Sequence, residues 1–161
     1  MPGFSCSTVG SLEKIQEAIN AFTTRLAPAF EAQVEKDGEL IVKTLVGHIE
    51  NQDLSWTPLS DVTVMLKGGD TTIYVETGFL KSNLITRKVK TSGGFTFYIG
   101  APKDVVHAPS GVPLDKIMLW LEYGTDKIPA RPLFRPTEEE IKPILREHWS
   151  ALLKELLSQS G

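Results

Sequence analysis

The N-terminal third of the chain carries apolar residues at the spacing of amphipathic helices. Steps of three and four residues place them on one face, and Ser11 is the predicted N-cap. Pro28 predicts a kink or the start of a second helix, and Gly38 weakens the middle of that second segment. This face packs either on the core of its own chain or partly on another subunit. Its positions are Leu12, Ile15, Ile19, Phe22, Leu26, Phe30, Val34, Ile41, Leu45, Val46 and Ile49.

The next segment combines turn-forming residues with two short predicted elements. Ser60 is placed to cap a short helix that ends before the glycine pair at Gly68. The run from Thr71 to Val75 has the composition of a short strand, and Thr77-Gly78 predicts a turn after it.

A β-hairpin is the main prediction for the middle of the chain. The runs Leu84–Lys90 and Phe95–Ile99 flank Ser92-Gly93-Gly94, which suits a tight turn. On the second run, the side chains of residues 95, 97 and 99 share one face and those of 96 and 98 share the other. This alternation is typical of an antiparallel sheet with one buried side.

The C-terminal part is predicted to contain a loop and two helices. Pro102–Pro113 reads as a loop, and Asp115–Tyr123 as a buried or partner-covered helix that Gly124 ends. A long final helix is predicted to begin near Thr137, which has capping-box spacing to Glu140. Inside that helix, Pro143 predicts a kink or a second start.

These elements predict an α+β fold in which N-terminal helices and a C-terminal helix pack on a small antiparallel sheet. The length of 161 residues fits a single domain, residues 1–161, with 41% hydrophobic residues. Within it we distinguish a helical part (1–51), the sheet with loops and short helices (52–136), and the final helix (137–161).

Charge and cysteine content narrow the classes of function. The net charge of −3 argues against a general nucleic-acid binder, which would usually be basic. Cys6 is the single cysteine, so it forms no disulfide within one chain. The sequence predicts neither a signal peptide nor a membrane span, because the start lacks a basic region and no run approaches roughly 18 apolar residues. We expect a protein made in the cytoplasm.

The sequence predicts no catalytic, metal-binding or cofactor-binding residue. The histidines, His48, His107 and His148, show no metal-ligand spacing, and His48 is expected to be a surface or half-buried residue. His107 lies in the loop near Asp104 and offers a weak alternative, a proton shuttle in a small enzyme. The consecutive Glu138, Glu139 and Glu140 diverge around a helix, so they suit the helix dipole rather than one metal ion.

The most informative stretch is a proline-rich arm, Ile128–Pro136, which follows Leu121-Glu122-Tyr123-Gly124-Thr125. Its prolines disfavour a helix interior and a sheet ladder, yet it is too apolar for a solvated linker. A stiff apolar arm needs a surface, which is either its own domain or a neighbouring subunit. In the second case Phe134 fills a pocket and the flanking arginines pair with carboxylates. The candidate interface residues are Trp56, Tyr123, Ile128, Arg131, Leu133, Phe134 and Arg135.

The order of short motifs adds a resemblance to a known family. The motifs are Trp56-x-Pro58-Leu59-Ser60, Lys67-Gly68, Thr77-Gly78-Phe79-Leu80-Lys81-Ser82, Ile99-Gly100, Leu121-Glu122-Tyr123-Gly124-Thr125 and Pro129-Ala130-Arg131-Pro132-x-Phe134-Arg135-Pro136. This succession, over about residues 50–157, resembles the virion-morphogenesis proteins of tailed phages, called neck, tail-completion or head–tail joining proteins. The chain departs from the usual pattern where residues 109–120 intervene before the Glu-Tyr-Gly-Thr motif.

The resemblance implies a non-enzymatic structural subunit without cofactors, and a fold akin to tail-terminator proteins. It implies a ring, with six copies expected, between the portal-side adaptors and the tail tube. The partners would be further copies of the chain and other neck and tail proteins, in a virion assembled in the bacterial cytoplasm. DNA would pass through the lumen without specific binding, and carboxylates such as those of residues 138–140 would suit that lumen. The alternative is a host-directed binding or inhibitor module, or the small enzyme that uses His107.

Overall fold

The computed structural model describes residues 9–75, 78–91 and 94–159 and has an α+β fold, as predicted. Long helices lie at both ends of the described chain, and two small antiparallel sheets of two strands each lie between them. In chain order the elements are α1 (Val9–Asn51), α2 (Asp61–Leu66), α3 (Phe79–Ser82), β1 (Ile85–Thr91), β2 (Gly94–Gly100), β3 (Val106–His107), β4 (Val112–Pro113), α4 (Leu114–Tyr123) and α5 (Phe134–Ser158).

The chain groups into two compact units. Among the described residues, the first unit consists of those up to Glu35 together with those from Ile144 onward, and the second lies within Lys36–Pro143. Helices α1 and α5 each contribute residues to both units. The single-domain organisation expected from the length stays a prediction.

In the first unit the ends of the two long helices pack side by side. The ring of Phe30 meets that of Trp149 edge-on, with centroids 5.1 Å apart. Arg25 donates hydrogen bonds to the side-chain and backbone oxygens of Gln159, both at 3.2 Å. The start of the apolar stripe on α1, by contrast, is exposed at Leu12 and Ile15.

Helix α1 differs from the prediction at two points. It is one helix that continues through Pro28, so the alternative of a second helix starting there is wrong. Proline removes only one backbone donor, and the apolar stripe on both sides favours a continuous helix. Ser11 lies inside the first turns rather than at the cap, because the helix already begins at Val9.

The core of the second unit combines the end of α1 with the loops and short helices that follow it. Leu45 and Ile49 are its α1 members and are almost completely buried. The full set is Leu45, Ile49, Trp56, Ile73, Leu80, Leu84, Leu114, Met118 and Leu133.

The predicted hairpin is confirmed as the antiparallel pair β1 and β2, with Ile85 opposite Gly100 and Thr91 opposite Gly94. Residues 92–93 of the predicted turn lie outside the described residues. Phe97 and Ile99 are half-buried while Tyr98 is exposed, which is the predicted alternation. A Cβ at Gly38 would lie 3.5 Å from a Thr86 methyl, so the glycine that weakens α1 lies against the hairpin.

The predicted strand at Thr71–Val75 is wrong, because side chains take the backbone groups that a ladder would use. The Gln52 amide accepts from the Ile73 N–H at 2.8 Å and donates to its carbonyl at 2.9 Å. The Asp70 carboxylate accepts from the backbone and the hydroxyl of Thr72, which lowers the pKa of Asp70 to about 2. The predicted turn after this segment lies partly outside the described residues, since residue 77 is not described.

The helix predicted at Asp115–Tyr123 is confirmed as α4. Its burial within its own chain is wrong, because Leu119, Trp120 and Tyr123 are 56%, 39% and 68% exposed, and its covering by a partner stays a prediction. Ser60 caps α2 by accepting from the Thr63 N–H at 3.3 Å, and α4 ends at Gly124. The loop of residues 102–113 contains a short antiparallel pair, β3 and β4, that was not predicted.

Helix α5 begins earlier than predicted. It starts at Phe134, so Thr137 lies inside the helix and the capping box with Glu140 is wrong. The buried Thr137 hydroxyl donates instead to the Leu133 carbonyl at 2.6 Å. The helix continues through Pro143, so a second start there is also wrong. The last residues of the arm, up to Pro136, are therefore helical rather than extended.

Candidate subunit interface

The arm Ile128–Pro136 lies on its own chain. Arg131 is 6% exposed, and its guanidinium donates to the carbonyls of Thr57 at 2.7 Å and Pro58 at 3.0 Å. Its backbone N–H donates to the Leu121 carbonyl at 2.6 Å. The expected pairing of this arginine with carboxylates at a partner's rim is therefore replaced by backbone carbonyls of its own chain.

Two aromatic residues hold the arm from the side. The Trp56 indole N–H donates to the Pro132 carbonyl at 2.6 Å, and the Tyr74 hydroxyl donates to the Arg131 carbonyl. The two rings lie 4.9 Å apart. Burial raises the pKa of the Tyr74 phenol, and the nearby Glu122 carboxylate raises it further.

Glu122, in the last turn of α4, caps the start of α5. Its carboxylate accepts from the backbone N–H groups of Leu133 at 2.7 Å, Phe134 at 2.9 Å and Arg135 at 3.0 Å. These are among the donors that the first turn of a helix leaves without an intrahelical partner, and a carboxylate is favoured there by the helix dipole. The cap comes from 11 to 13 residues away, so no local capping signal marks it.

The turn between α4 and the arm requires its glycine. Gly124 has φ 76°, and a Cβ there would lie 2.9 Å from the Ala130 nitrogen and 3.0 Å from the Ile128 carbonyl oxygen. Such distances are too short for any side chain, so the backbone approaches itself here. Thr125 and Ile128 close the turn with a backbone hydrogen bond of 2.8 Å.

The distant motifs of the sequence therefore meet in one hydrogen-bonded cluster within one chain. Of the seven predicted interface residues, Trp56, Arg131 and Leu133 are buried in this cluster, and the Phe134 ring packs against the core. Phe134 and Ile128 are half-buried, whereas Arg135 and Tyr123 are exposed, Tyr123 by 68%. Whether a neighbour covers the accessible residues stays a prediction.

The arm also forms one wall of a cavity of about 610 Å³ in the second unit. Helix α2 contributes Thr63 to the wall, and the residues that flank the helix, Ser60 and Lys67, line the cavity as well. Apolar side chains from α3, α4 and the connecting segments supply most of the remaining surface. They include Leu59, Val75, Phe79, Leu80, Val112, Leu114, Ile117, Trp120, Leu121, Ile128 and Pro129.

The charge of this cavity is one-sided. Lys67, Lys127 and Arg131 line it, and none of the described residues at its wall is Asp or Glu. Lys67 is paired with Asp70 at 3.2 Å, and the buried Arg131 guanidinium donates to backbone carbonyls. Of these three cations, the exposed Lys127 is therefore the one that suits an apolar group with a negative charge.

Helix α2 has an exposed apolar face. The side chains of Val62, Met65 and Leu66 are 63%, 72% and 78% exposed. Their spacing of three and four residues places them on one face of the helix. This face has no signal in the sequence, because a six-residue helix is too short to show a periodic pattern.

Two histidines have defined surroundings. The His107 ring nitrogen Nδ1 lies 2.8 Å from the Ser110 hydroxyl, and the centroid of the ring lies 5.3 Å from that of Phe79, with the two rings tilted by 55°. His48 is buried, against expectation, with Nδ1 2.7 Å from Asp53 and Nε2 3.3 Å from Glu140. Among residues 9–75, 78–91 and 94–159, no group of His, Cys, Asp and Glu is arranged to hold a metal ion.

Comparisons with known proteins gave no relative: no family model, no curated protein and no solved structure matched the chain. In the part of the chain that the structure describes, neither long helix has an apolar stretch that could cross a bilayer.

Proposed function

We propose that the protein is a structural subunit of a tailed-phage virion that forms a ring at the neck or the tail junction. The observation that carries the proposal is that one unit presents an open apolar cavity and a separate exposed apolar helix face. Closed rings are built from such heterologous contacts, in which different patches of successive subunits meet. The motif order and the α+β fold with long terminal helices support the virion role.

Six copies, and a fold akin to tail-terminator proteins, are the more specific form of this proposal. The partners are further copies of the chain and the adaptor, terminator or tube proteins of the same virion. The acidic side chains of Glu138, Glu139 and Glu140 are exposed and suit a lumen that repels phosphates, and Glu140 also lies 3.3 Å from the His48 ring.

Native mass spectrometry of the purified protein, alone and mixed with the tail-tube protein of the same phage, tests the proposal. We expect a closed oligomer of fixed copy number in at least one of these samples. Negative-stain images of the same sample should then show rings. A monomer in both samples, at micromolar concentration, would contradict the proposal.

A second candidate is an enzyme or a host-directed binding module that uses the cavity. The contact between His107 and Ser110 at the cavity wall is the observation that favours it. The serine hydroxyl also lies 3.4 Å from the Val112 N–H, as expected for a turn-closing residue. His107→Ala should leave ring formation intact under the first proposal. Recovery of the protein from host extract bound to a host component, and its absence from virions, would favour the second.

A further inference from the structure

Three exposed apolar side chains form a small protrusion on α2, which we call the α2 knob: Val62, Met65 and Leu66. They occupy positions i, i+3 and i+4, the spacing with which a helix enters an apolar groove. The helix is fixed in place although its branched residues favour it little: Ser60 caps its start, and Lys67 after its end donates to the Thr72 carbonyl. Contiguous exposed apolar side chains, unlike single ones, are typical of sites where a partner binds.

The cavity lies on the other side of the same helix. Ser60, Thr63 and Lys67 line the cavity, whereas the three residues of the α2 knob are exposed and do not line it. The knob of one molecule therefore cannot enter its own cavity. The cavity of a second copy is open to it, and it is large enough for two or three aliphatic side chains, since pockets of several hundred cubic ångströms hold whole ligands.

Charge complementarity points to the same occupant. The cavity wall carries Lys127 and contains no Asp or Glu among the described residues, while helix α2, which carries the knob, begins with the exposed Asp61. An amphipathic segment with an acidic end suits a cationic rim around an apolar floor. Helix α2 has both the acidic end, Asp61, and the apolar knob within its six residues.

We infer that the α2 knob of one copy inserts into the cavity of the next copy, with Asp61 placed near Lys127 of that copy. The arm Ile128–Pro136 then contributes to the interface indirectly, because it forms one wall of the cavity that receives the knob. The inference rests on the proposed ring, which it deepens by naming the two patches that meet. Because these patches are different, the contact repeats head to tail and has a direction around the ring.

Cysteine crosslinking between copies tests the contact directly. In a Cys6→Ser background we would prepare Asp61→Cys and Lys127→Cys separately, since both positions are exposed and neither substitution disturbs the core. A short bis-maleimide crosslinker should join an equal mixture of the two variants into dimers, while each variant alone stays uncrosslinked. The mixture of Tyr98→Cys with Lys127→Cys is the matched control, because Tyr98 is also exposed and lies on β2.

A ladder is expected when both cysteines are in one chain. Asp61→Cys/Lys127→Cys should give covalent species that increase one copy at a time and stop at the copy number found by native mass spectrometry. All samples would be treated alone and with the tail-tube protein, so that a ring that needs its partner is also examined.

The outcomes separate this inference from the proposed function. Rings without crosslinks in the mixture would overturn the α2 contact and leave the ring proposal standing. Dimers of Asp61→Cys alone would show that knobs meet knobs, which also overturns it. Monomers under every condition would overturn both proposals.

Discussion

The arm Ile128–Pro136 and helix α2 are two short apolar segments of the same unit, and they end in opposite environments. In the arm, Leu133 is completely buried and the Arg131 guanidinium donates hydrogen bonds to backbone carbonyls. The α2 helix leaves its largest apolar side chains in water. The proline-rich arm, which the sequence marks as an apolar segment, is therefore covered by its own chain. Helix α2, which has no such signal in the sequence, has the exposed apolar face.

A stiff and apolar sequence therefore indicates only that a segment packs against another surface. Which chain supplies that cover depends on distant groups. For the arm these groups are the indole of Trp56, the hydroxyl of Tyr74 and the carboxylate of Glu122. For α2, no described residue of its own chain takes this role at Met65 or Leu66.

The largest expected effect is at the buried residue of the arm. Leu133→Ala should lower the free energy of unfolding by about 2–5 kcal/mol, because the side chain is 0% exposed and its removal leaves a cavity. Urea unfolding followed by circular dichroism measures it. A loss below about 1 kcal/mol would show that the arm is not held as described.

The second largest loss of unfolding free energy is expected at Glu122, which caps the start of α5. Glu122→Gln keeps the size of the side chain but removes the charge that accepts three backbone hydrogen bonds. We expect a loss of roughly 1–3 kcal/mol, as for hydrogen bonds to charged groups. The same unfolding experiment applies, with Glu139→Gln on the exposed side of α5 as the control. Equal, small losses in both variants would contradict the cap.

A smaller effect is expected at Tyr74. Tyr74→Phe should lose about 1 kcal/mol, since one hydrogen bond to the Arg131 carbonyl disappears. The folded chain raises the pKa of this phenol, so its contribution is present below the ordinary value of 10.0 and is lost as the pH rises above it. The wild type should therefore become less stable in that alkaline range, and the variant should show less of this dependence. Parallel pH curves would argue against the buried phenol.

The smallest effect on stability is expected on α2. Leu66→Ser should change the free energy of unfolding by less than about 0.5 kcal/mol, because the side chain is 78% exposed. The same substitution should abolish the oligomer in native mass spectrometry, whereas Tyr98→Ser leaves it intact. A destabilised monomer, or an unchanged oligomer, would remove the contrast between the arm and α2.

The sequence predicted the elements that local signals specify. Ser60 as a cap, Gly124 as a helix end and the hairpin of β1 and β2 all depend on residues close in the chain. The start of α5 was missed because its cap comes from Glu122, and the strand at Thr71–Val75 because Gln52 takes its backbone groups from 21 residues away.

The candidate site was predictable only in part. The motifs around Trp56, Glu122 and Arg131 were recognised, but their convergence depends on three-dimensional packing that spacing does not specify. The cavity and the α2 knob have no sequence signature, since their walls come from segments spread over residues 58–131. Periodicity shows which face of a helix is apolar and leaves open what covers it.

The carboxylate of Glu122 has a consequence for the cooperativity of unfolding. The Glu122 side chain near the end of α4 holds the backbone amide of Leu133 and the first two backbone amides of α5, so the last turn of α4 cannot fray without releasing the first turn of α5. Hydrogen exchange at Leu133, Phe134 and Arg135 should then proceed at the opening rate of α4, so that two helices separated by ten residues of loop behave as one opening unit.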